Sequence, residues 1–277
     1  MPKISKKNKG KKEAIVAADP VSDEEAIDFN QMNIEKEEET FTFDYIEPNH
    51  KYDFTLINYL RKSFNFVSWD ILTLSEGICE QNELGMLLAI ENETGNTNSD
   101  PQSKSFEIYG ILSVVSFDKI NKDSFADLMI DTIVKHAPEN SKELLLNYKS
   151  AQSKLGLLVN DRIINLPESI CEVMYEQLLE DYNFIKTEYT IEEIEEYELD
   201  FIVHFIPVEE KIKANSHEKN IGLNNSLFYR QEDKHFLKKS FYHFEIPHNL
   251  SDQYKIICAI IKFDDFITLM SNGNLFK

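Results

Sequence analysis

The stretch KLGLLVNDRIINLPESICEVMYEQLLEDY, residues 154–182, decides the fold because it contains a strand, a turn and a helix in direct succession. Residues 155–159 form a short apolar run that is typical of a strand buried in a sheet. Turn-forming residues follow, and Pro167 stands where a helix can begin, because proline is tolerated at the start of a helix. Residues 168–182 then place apolar residues at helical spacing. This order of elements indicates an α/β protein.

The alternation of strands and helices continues on both sides of this stretch. Strands are predicted at residues 40–46, 84–90, 106–117, 200–208 and 254–263, and helices at residues 52–64, 69–81 and 124–137. Strands interleaved with helices favour one mixed α/β sheet. No internal repeat or linker is visible after residue 40, so residues 40–277 are predicted to form a single domain.

Residues 1–39 differ in composition from that domain and are predicted to be a disordered tail. Residues 1–12 contain six lysines and no acid, and residues 13–40 contain ten acids and one lysine. Short lysine-rich runs are candidate nuclear localisation sequences, and here the candidate residues are Lys6, Lys7, Lys9, Lys11 and Lys12. The tail therefore predicts a nuclear protein, which could also shuttle to the cytoplasm.

The chain is strongly acidic, with a net charge of −20, of which residues 41–277 carry −17. A field of this sign repels nucleic acid and anionic membranes and attracts basic proteins. The alternative is that acidity only keeps the protein in solution.

The densest acidic run predicts where a basic partner would bind, at Glu188, Glu192, Glu193, Glu195 and Glu196. Like charges at helical spacing repel by a few tenths of a kcal/mol per pair, and a cationic partner would relieve that repulsion. A solvated helix face is the alternative interpretation of the same run.

No pattern of a catalytic, metal or cofactor site is visible. The chain has eight glycines and no G-x-G, so it lacks a glycine-rich loop for phosphates. Cys79, Cys171 and Cys258 lie far apart among apolar neighbours, as core cysteines of a reducing compartment do. His204 interrupts an apolar run and is expected to be a satisfied, half-buried side chain. The sequence therefore predicts a non-enzymatic protein without metal or cofactor, and no apolar run reaches the 18 residues of a transmembrane helix.

Asp161 and Arg162 are the one charged pair that interrupts apolar sequence at the end of a strand. Such a pair could mark a functional site. The favoured interpretation is structural, with Arg162 bonding turn carbonyls and Asp161 ordering the turn before the helix.

The stretch from residue 154 to residue 182 resembles the BCCIP family, whose members carry G-L-L-L-S-E-R-x-I-N-x-P-P followed by an amphipathic helix. The matching residues are Gly156, Leu157, Leu158, Arg162, Ile164, Asn165, Pro167 and Tyr175. Asn160 and Asp161 replace the usual Ser-Glu, and Glu168 replaces the second proline. Residues 40–64, 82–90, 107–117 and 228–246 resemble further segments of the family in the same order, so the likeness covers roughly residues 40–272. Gly156, Asp161, Arg162, Asn165 and Pro167 are accordingly expected to form a structural motif.

The resemblance implies a fold similar to that of the GCN5-related N-acetyltransferases, without a working acetyl-CoA site. It also implies a nuclear chaperone that escorts a basic large-subunit ribosomal protein during ribosome biogenesis and nuclear transport. The alternative is a scaffold for cell-cycle or DNA-repair proteins. An active N-acetyltransferase is less expected, because the chain lacks the Q/R-x-x-G-x-G/A loop that holds a pyrophosphate. Partners are expected to be proteins, without direct binding of nucleic acid or membrane, and a monomer is expected.

Overall fold

The computed structural model describes residues 12–13, 42–67, 69–92, 105–120, 125–210, 226–247, 254–271, 273 and 275–276. The strands are β1 (Lys12–Glu13), β2 (Thr42–Ile46), β3 (Gly85–Glu91), β4 (Phe106–Ser116), β5 (Leu155–Arg162), β6 (Phe201–Glu210), β7 (Ser226–Phe228), β8 (Tyr242–Pro247) and β9 (Tyr254–Lys262). The helices are α1 (Asp53–Ser63), α2 (Ile71–Glu80), α3 (Phe125–His136), α4 (Glu139–Lys149), α5 (Glu168–Glu188), α6 (Ile191–Ile194), α7 (Glu232–Lys239) and α8 (Phe263–Ser271).

The described strands form one sheet in the order β1-β2-β3-β4-β5-β6-β9-β8, and the short strand β7 pairs with β6 off this path. All of these pairs are antiparallel except β5 with β6, which are parallel and joined by the long helix α5. The predicted mixed α/β sheet is therefore confirmed.

Helices cover both faces of the sheet, and each face has its own apolar core. Leu157 and Val159 of β5 face a core shared with helices α1 to α4. Leu158, between them, faces a second core built with α5, α7 and α8. Side chains of a strand alternate between faces, so a strand covered on both sides is apolar on both, as residues 155–159 of β5 are.

Local sequence signals mark the starts of two predicted helices, α2 and α5. The Asp70 side chain accepts a hydrogen bond of 3.0 Å from the backbone N–H of Leu72 and so caps α2. Pro167 has a φ of −55° and immediately precedes α5. The described residues include no helix that is both long and apolar enough to span a membrane.

The predicted tail falls almost entirely outside the described residues. Of the candidate targeting lysines, Lys6, Lys7, Lys9 and Lys11 lie outside them, and Lys12 lies in β1, which pairs with the start of β2. The disorder of the tail and the domain boundary near residue 40 stay predictions.

Candidate functional site where the parallel strands diverge

The site is created by a change of partners along β5 and β6. These strands pair only from Leu155 opposite Phe201 to Leu158 opposite His204. Beyond that point β5 stays paired with β4 as far as Arg162, and β6 stays paired with β9. A gap therefore opens between the carboxyl ends of two parallel strands, which is where α/β sheets commonly bind ligands.

Arg230 enters this gap from the chain that follows β7, and its guanidinium takes over the role of the missing strand-to-strand hydrogen bonds. Its Nη1 donates to the backbone carbonyl of Asn160 in β5, and its Nη2 lies 3.5 Å from the carbonyl of Phe205 in β6. Its Nε donates to Asp233 Oδ2 at 2.9 Å. Buried carbonyls that lose their ladder partners need another donor, and Arg230 supplies it.

Asp233 also accepts from His204, whose Nε2 lies 2.8 Å from Asp233 Oδ1. The side chains of both residues are buried. Burial alone would raise the pKa of Asp233, but the charge of Arg230 and the contacts with His204 outweigh it, so this pKa lies below its ordinary value. The carboxylate is thus kept ionised inside the protein.

Glu232, the neighbour of Asp233, has a fully buried side chain that forms a second ion pair. Arg162 Nη1 and Nη2 donate to its two oxygens at 2.5 and 3.0 Å, a bidentate geometry. Asn160 Nδ2 donates to the same carboxylate at 3.1 Å and to the Tyr175 hydroxyl at 2.9 Å. The two ion pairs, with Asn160, Tyr175 and His204, form one network that joins β5, α5, β6 and α7; we call it the buried ion network.

The predicted Asp161–Arg162 pair is not a pair of side chains. Arg162 bonds Glu232 and the Asn160 side chain rather than turn carbonyls, so the expected partners of Arg162 were wrong. Asp161 Oδ1 accepts from the backbone N–H of Arg162 at 2.9 Å, which does order the start of the turn. Its Oδ2 is buried and has no hydrogen-bond partner among the described residues.

The other residues of the predicted motif lie around the same strand and turn. A Cβ at Gly156 would come within 2.5 Å of a Leu199 methyl group, so glycine allows close packing there. Asn165 has a φ of 70°, a left-handed conformation that asparagine tolerates better than most residues. The turn presents the adjacent Ile163 and Ile164 to solvent.

A cavity of about 660 Å³ lies against the buried ion network. Its walls come from the ends of β5 and β6, the end of α1, the turn after β5, and residues 229–232 and 254–256. Four of its lining residues are large, exposed hydrophobic side chains: Ile163, Ile164, Tyr229 and Tyr254. Tyr229 and Tyr254 stack with ring centroids 6.4 Å apart. An apolar rim around a concave surface is typical of a binding site.

His204 lines this cavity and differs from its prediction in two respects. It is buried rather than half-buried, and its Nδ1 has no hydrogen-bond partner among the described residues, so only Nε2 is satisfied.

The predicted acidic surface lies away from the cavity. Glu188 ends α5, and α6 and the residues after it precede β6, so the run lies at the amino end of the parallel pair. All five predicted glutamates are exposed. Glu193 forms a capping box with Thr190, whose hydrogen bonds lower the pKa of this carboxyl, and Glu196 pairs with Lys119 at 2.5 Å. Glu188, Glu192 and Glu195 make no ion pair with another described residue and present the free charge of this surface.

Sequence reasoning missed Arg230, Glu232, Asp233 and the role of Asn160. Arg230, Glu232 and Asp233 fall in the segment 228–246, which was noted only for its resemblance to the family, and nothing local distinguishes its two adjacent acids from solvated ones. The only local signal is that Arg230 and Asp233 stand three positions apart, which lets their side chains meet.

Replacing Arg162 by alanine tests whether the network holds the fold. Glu232 would become a buried carboxylate without its main partner, so we expect the free energy of unfolding to fall by about 3–5 kcal/mol. Denaturant unfolding measures it. The control is Lys142→Ala, which removes an exposed ion pair with Glu139 and should cost less than about 1 kcal/mol. Equal losses in both variants would contradict a structural role, and the double variant Arg162→Met/Glu232→Leu should recover part of the loss.

The comparisons with known proteins agree with the resemblance seen in the sequence. Protein BCP1 of Debaryomyces hansenii is 26% identical over 188 residues, 62% of this chain and 56% of that protein. Protein BCP1 of Yarrowia lipolytica is 30% identical over 148 residues, 50% of this chain and 45% of that protein. These alignments span about half the length of both relatives.

A solved structure and a family model extend the match. The crystal structure of BCP1 from Saccharomyces cerevisiae covers 89% of this chain, with 93% of its own length matched, a TM-score of 0.58 and 19% identity, which shows a shared fold. The BCCIP family model matches residues 39–240, which is most of the chain. The chain therefore belongs to the BCCIP family.

Proposed function

We propose that this protein is a non-enzymatic nuclear binding protein that escorts a basic client. The resemblance to the family implies that the client is a large-subunit ribosomal protein on its way into ribosome assembly. The observation that carries the proposal is the cavity at the diverging strands. Its rim is apolar and exposed, whereas the charged side chains of the buried ion network, which form its floor, are paired with one another.

The mutual pairing of the carboxylates and arginines of the floor supports binding rather than catalysis. A general acid or base must reach the proton that it moves. Glu232 and Asp233 are fully buried and each is bonded to an arginine, so neither is free to reach a substrate. Arg162 and Arg230 are likewise engaged with these carboxylates and with backbone or amide oxygens.

The rim supplies the surface that can hold a protein segment. Ile164 is 70% exposed and Tyr229 is 50% exposed, and both line the cavity. Aromatic and aliphatic side chains that lose water on binding supply most of the affinity of protein interfaces. An apolar segment of the client would cover these side chains.

The acidic surface supplies attraction over longer distances. A ribosomal protein is basic because it neutralises RNA phosphate, and the charge of −17 on residues 41–277 has the opposite sign. Complementary charge mainly raises the association rate, whereas desolvated contacts set the dissociation rate. The two surfaces thus have separable tasks, steering at Glu192 and Glu195 and holding at the cavity rim.

This division of tasks can be measured once the client is identified by capture from native cells and mass spectrometry. In surface plasmon resonance, Ile164→Ser/Tyr229→Ser should raise the dissociation rate of the client by tenfold or more, with the association rate nearly unchanged. Glu192→Gln/Glu195→Gln should slow association several-fold and leave dissociation nearly unchanged.

Matched control variants show whether a change in rate depends on where the substitution lies or only on the kind of residue that is replaced. The control for the cavity residues is Leu128→Ser, which changes a side chain on α3 that is 58% exposed. Glu139→Gln/Glu143→Gln on α4 removes the same charge from another exposed surface. If the control variants change the rates as much as the test variants, the client does not bind where we propose.

An N-acetyltransferase with the implied fold is the enzymatic alternative, and acetyl-CoA binding tests it. The chain lacks a glycine-rich loop whose backbone N–H groups could hold the pyrophosphate. We therefore expect no saturable heat when the full chain is titrated with millimolar acetyl-CoA in a calorimeter. Saturable binding would contradict the non-enzymatic assignment and favour the alternative.

The proposed nuclear location depends on the lysines of the tail. Replacing Lys6, Lys7, Lys9, Lys11 and Lys12 by alanine removes most of the positive charge of residues 1–12. Imaging of the fluorescently tagged protein should then show it in the cytoplasm. Nuclear enrichment equal to that of the unaltered chain would show that these lysines do not target it.

A further inference from the structure

The start of α1 and the last turn of α2 bring together three side chains that are common metal ligands. His50, Asp53 and Cys79 each offer one ligand atom, and these atoms lie within 4.8 Å of one another. Asp53 is the first residue of α1, His50 lies in the short 3-10 turn before it, and Cys79 lies one residue from the end of α2. The sequence predicts no metal site because Cys79 is 26 positions from Asp53, and only the packing of the two helices joins them.

We propose that His50, Asp53 and Cys79 bind one zinc ion, with water as the fourth ligand. Zinc prefers four ligands in a tetrahedron, drawn from thiolate, imidazole and carboxylate, which are the three types present here. With bond lengths of about 2.0–2.3 Å, neighbouring ligand atoms of such a site lie roughly 3.3–3.7 Å apart.

The two carboxylate oxygens of Asp53 each lie close to one of the other two ligand atoms. His50 Nδ1 lies 3.2 Å from Asp53 Oδ2, and Cys79 Sγ lies 3.7 Å from Asp53 Oδ1. The thiol and the imidazole favour zinc over calcium or magnesium, which prefer oxygen ligands.

Charge and exposure also fit a cation. The carboxylates of Asp53 and Glu80 place negative charge beside Cys79. The side chains of His50 and Asp53 are partly exposed, so an ion and its water ligand can enter, while Cys79 forms the buried wall. Bound zinc would connect the turn before α1 to the end of α2.

The proton on Cys79 predicts how binding depends on pH. Zinc binds the thiolate and must displace that proton. Affinity should therefore rise with pH, with protons released to the buffer as the ion binds.

Cobalt titration of the chelator-treated full chain tests the site, because a thiolate bound to cobalt(II) gives an absorption band that oxygen and nitrogen ligands do not. The chain has three cysteines, so the band can only come from Cys79, Cys171 or Cys258. We expect the band to saturate at one equivalent of cobalt and to disappear when zinc is added.

Single-residue variants then show which cysteine gives rise to the absorption band. Cys79→Ser should abolish it, and the matched control Cys171→Ser, which changes a buried cysteine of α5, should leave it unchanged. His50→Ala changes an exposed side chain, so it should keep the fold and weaken zinc binding by tenfold or more in competition with a chromophoric chelator. Absence of the band, its persistence in Cys79→Ser, or unchanged zinc affinity in His50→Ala would each overturn the proposal.

Discussion

The structure depends on the burial of two adjacent carboxylates, Glu232 and Asp233, at the start of α7. Removing an ion from water costs several kcal/mol unless partners compensate it, so each carboxylate requires its arginine. Arg162 comes from β5 and Arg230 from the chain just before α7, and the two guanidiniums meet the two acids side by side. Satisfying these charges fixes where α7 sits relative to both parallel strands.

The same interaction explains how the sheet tolerates an opening in its centre. Where β5 and β6 stop pairing, carbonyl groups of both strands face the gap, and Arg230 donates to one from each. An arginine can do this because its planar guanidinium carries five donors in a fixed geometry. The gap is therefore bridged by a side chain, and the surface above it stays concave.

That arrangement is the surface on which the proposed binding function rests. The position at the carboxyl ends of parallel strands, where many α/β proteins hold a ligand, has a floor of mutually paired charges and a rim of exposed hydrophobic residues. The free acidic charges of Glu192 and Glu195 lie at the other end of the strand pair. In the proposed function, this separation would let a basic client be attracted by one surface and held by the other.

The sequence by itself determined the local elements of this protein. The apolar run of β5, the turn at Asn165, Pro167 and the helical spacing after it predicted a strand, a turn and a helix, because each signal acts between neighbours in the chain. The helix Glu139–Lys149 was not predicted, since its apolar face is narrow and only Ser141, Leu145 and Tyr148 are buried.

Only the tertiary structure decided which side chains meet. The partner of Arg162 lies 70 positions away in Glu232, and that of His204 lies 29 positions away in Asp233. In sequence, Glu232 and Asp233 look like the solvated acids of any short helix, and Cys79 looks like an isolated core residue far from His50 and Asp53. Whether an acid is buried beside an arginine or exposed to water depends on the packing of distant strands and helices. Local patterns carry no information about that packing, because they report only on neighbours along the chain.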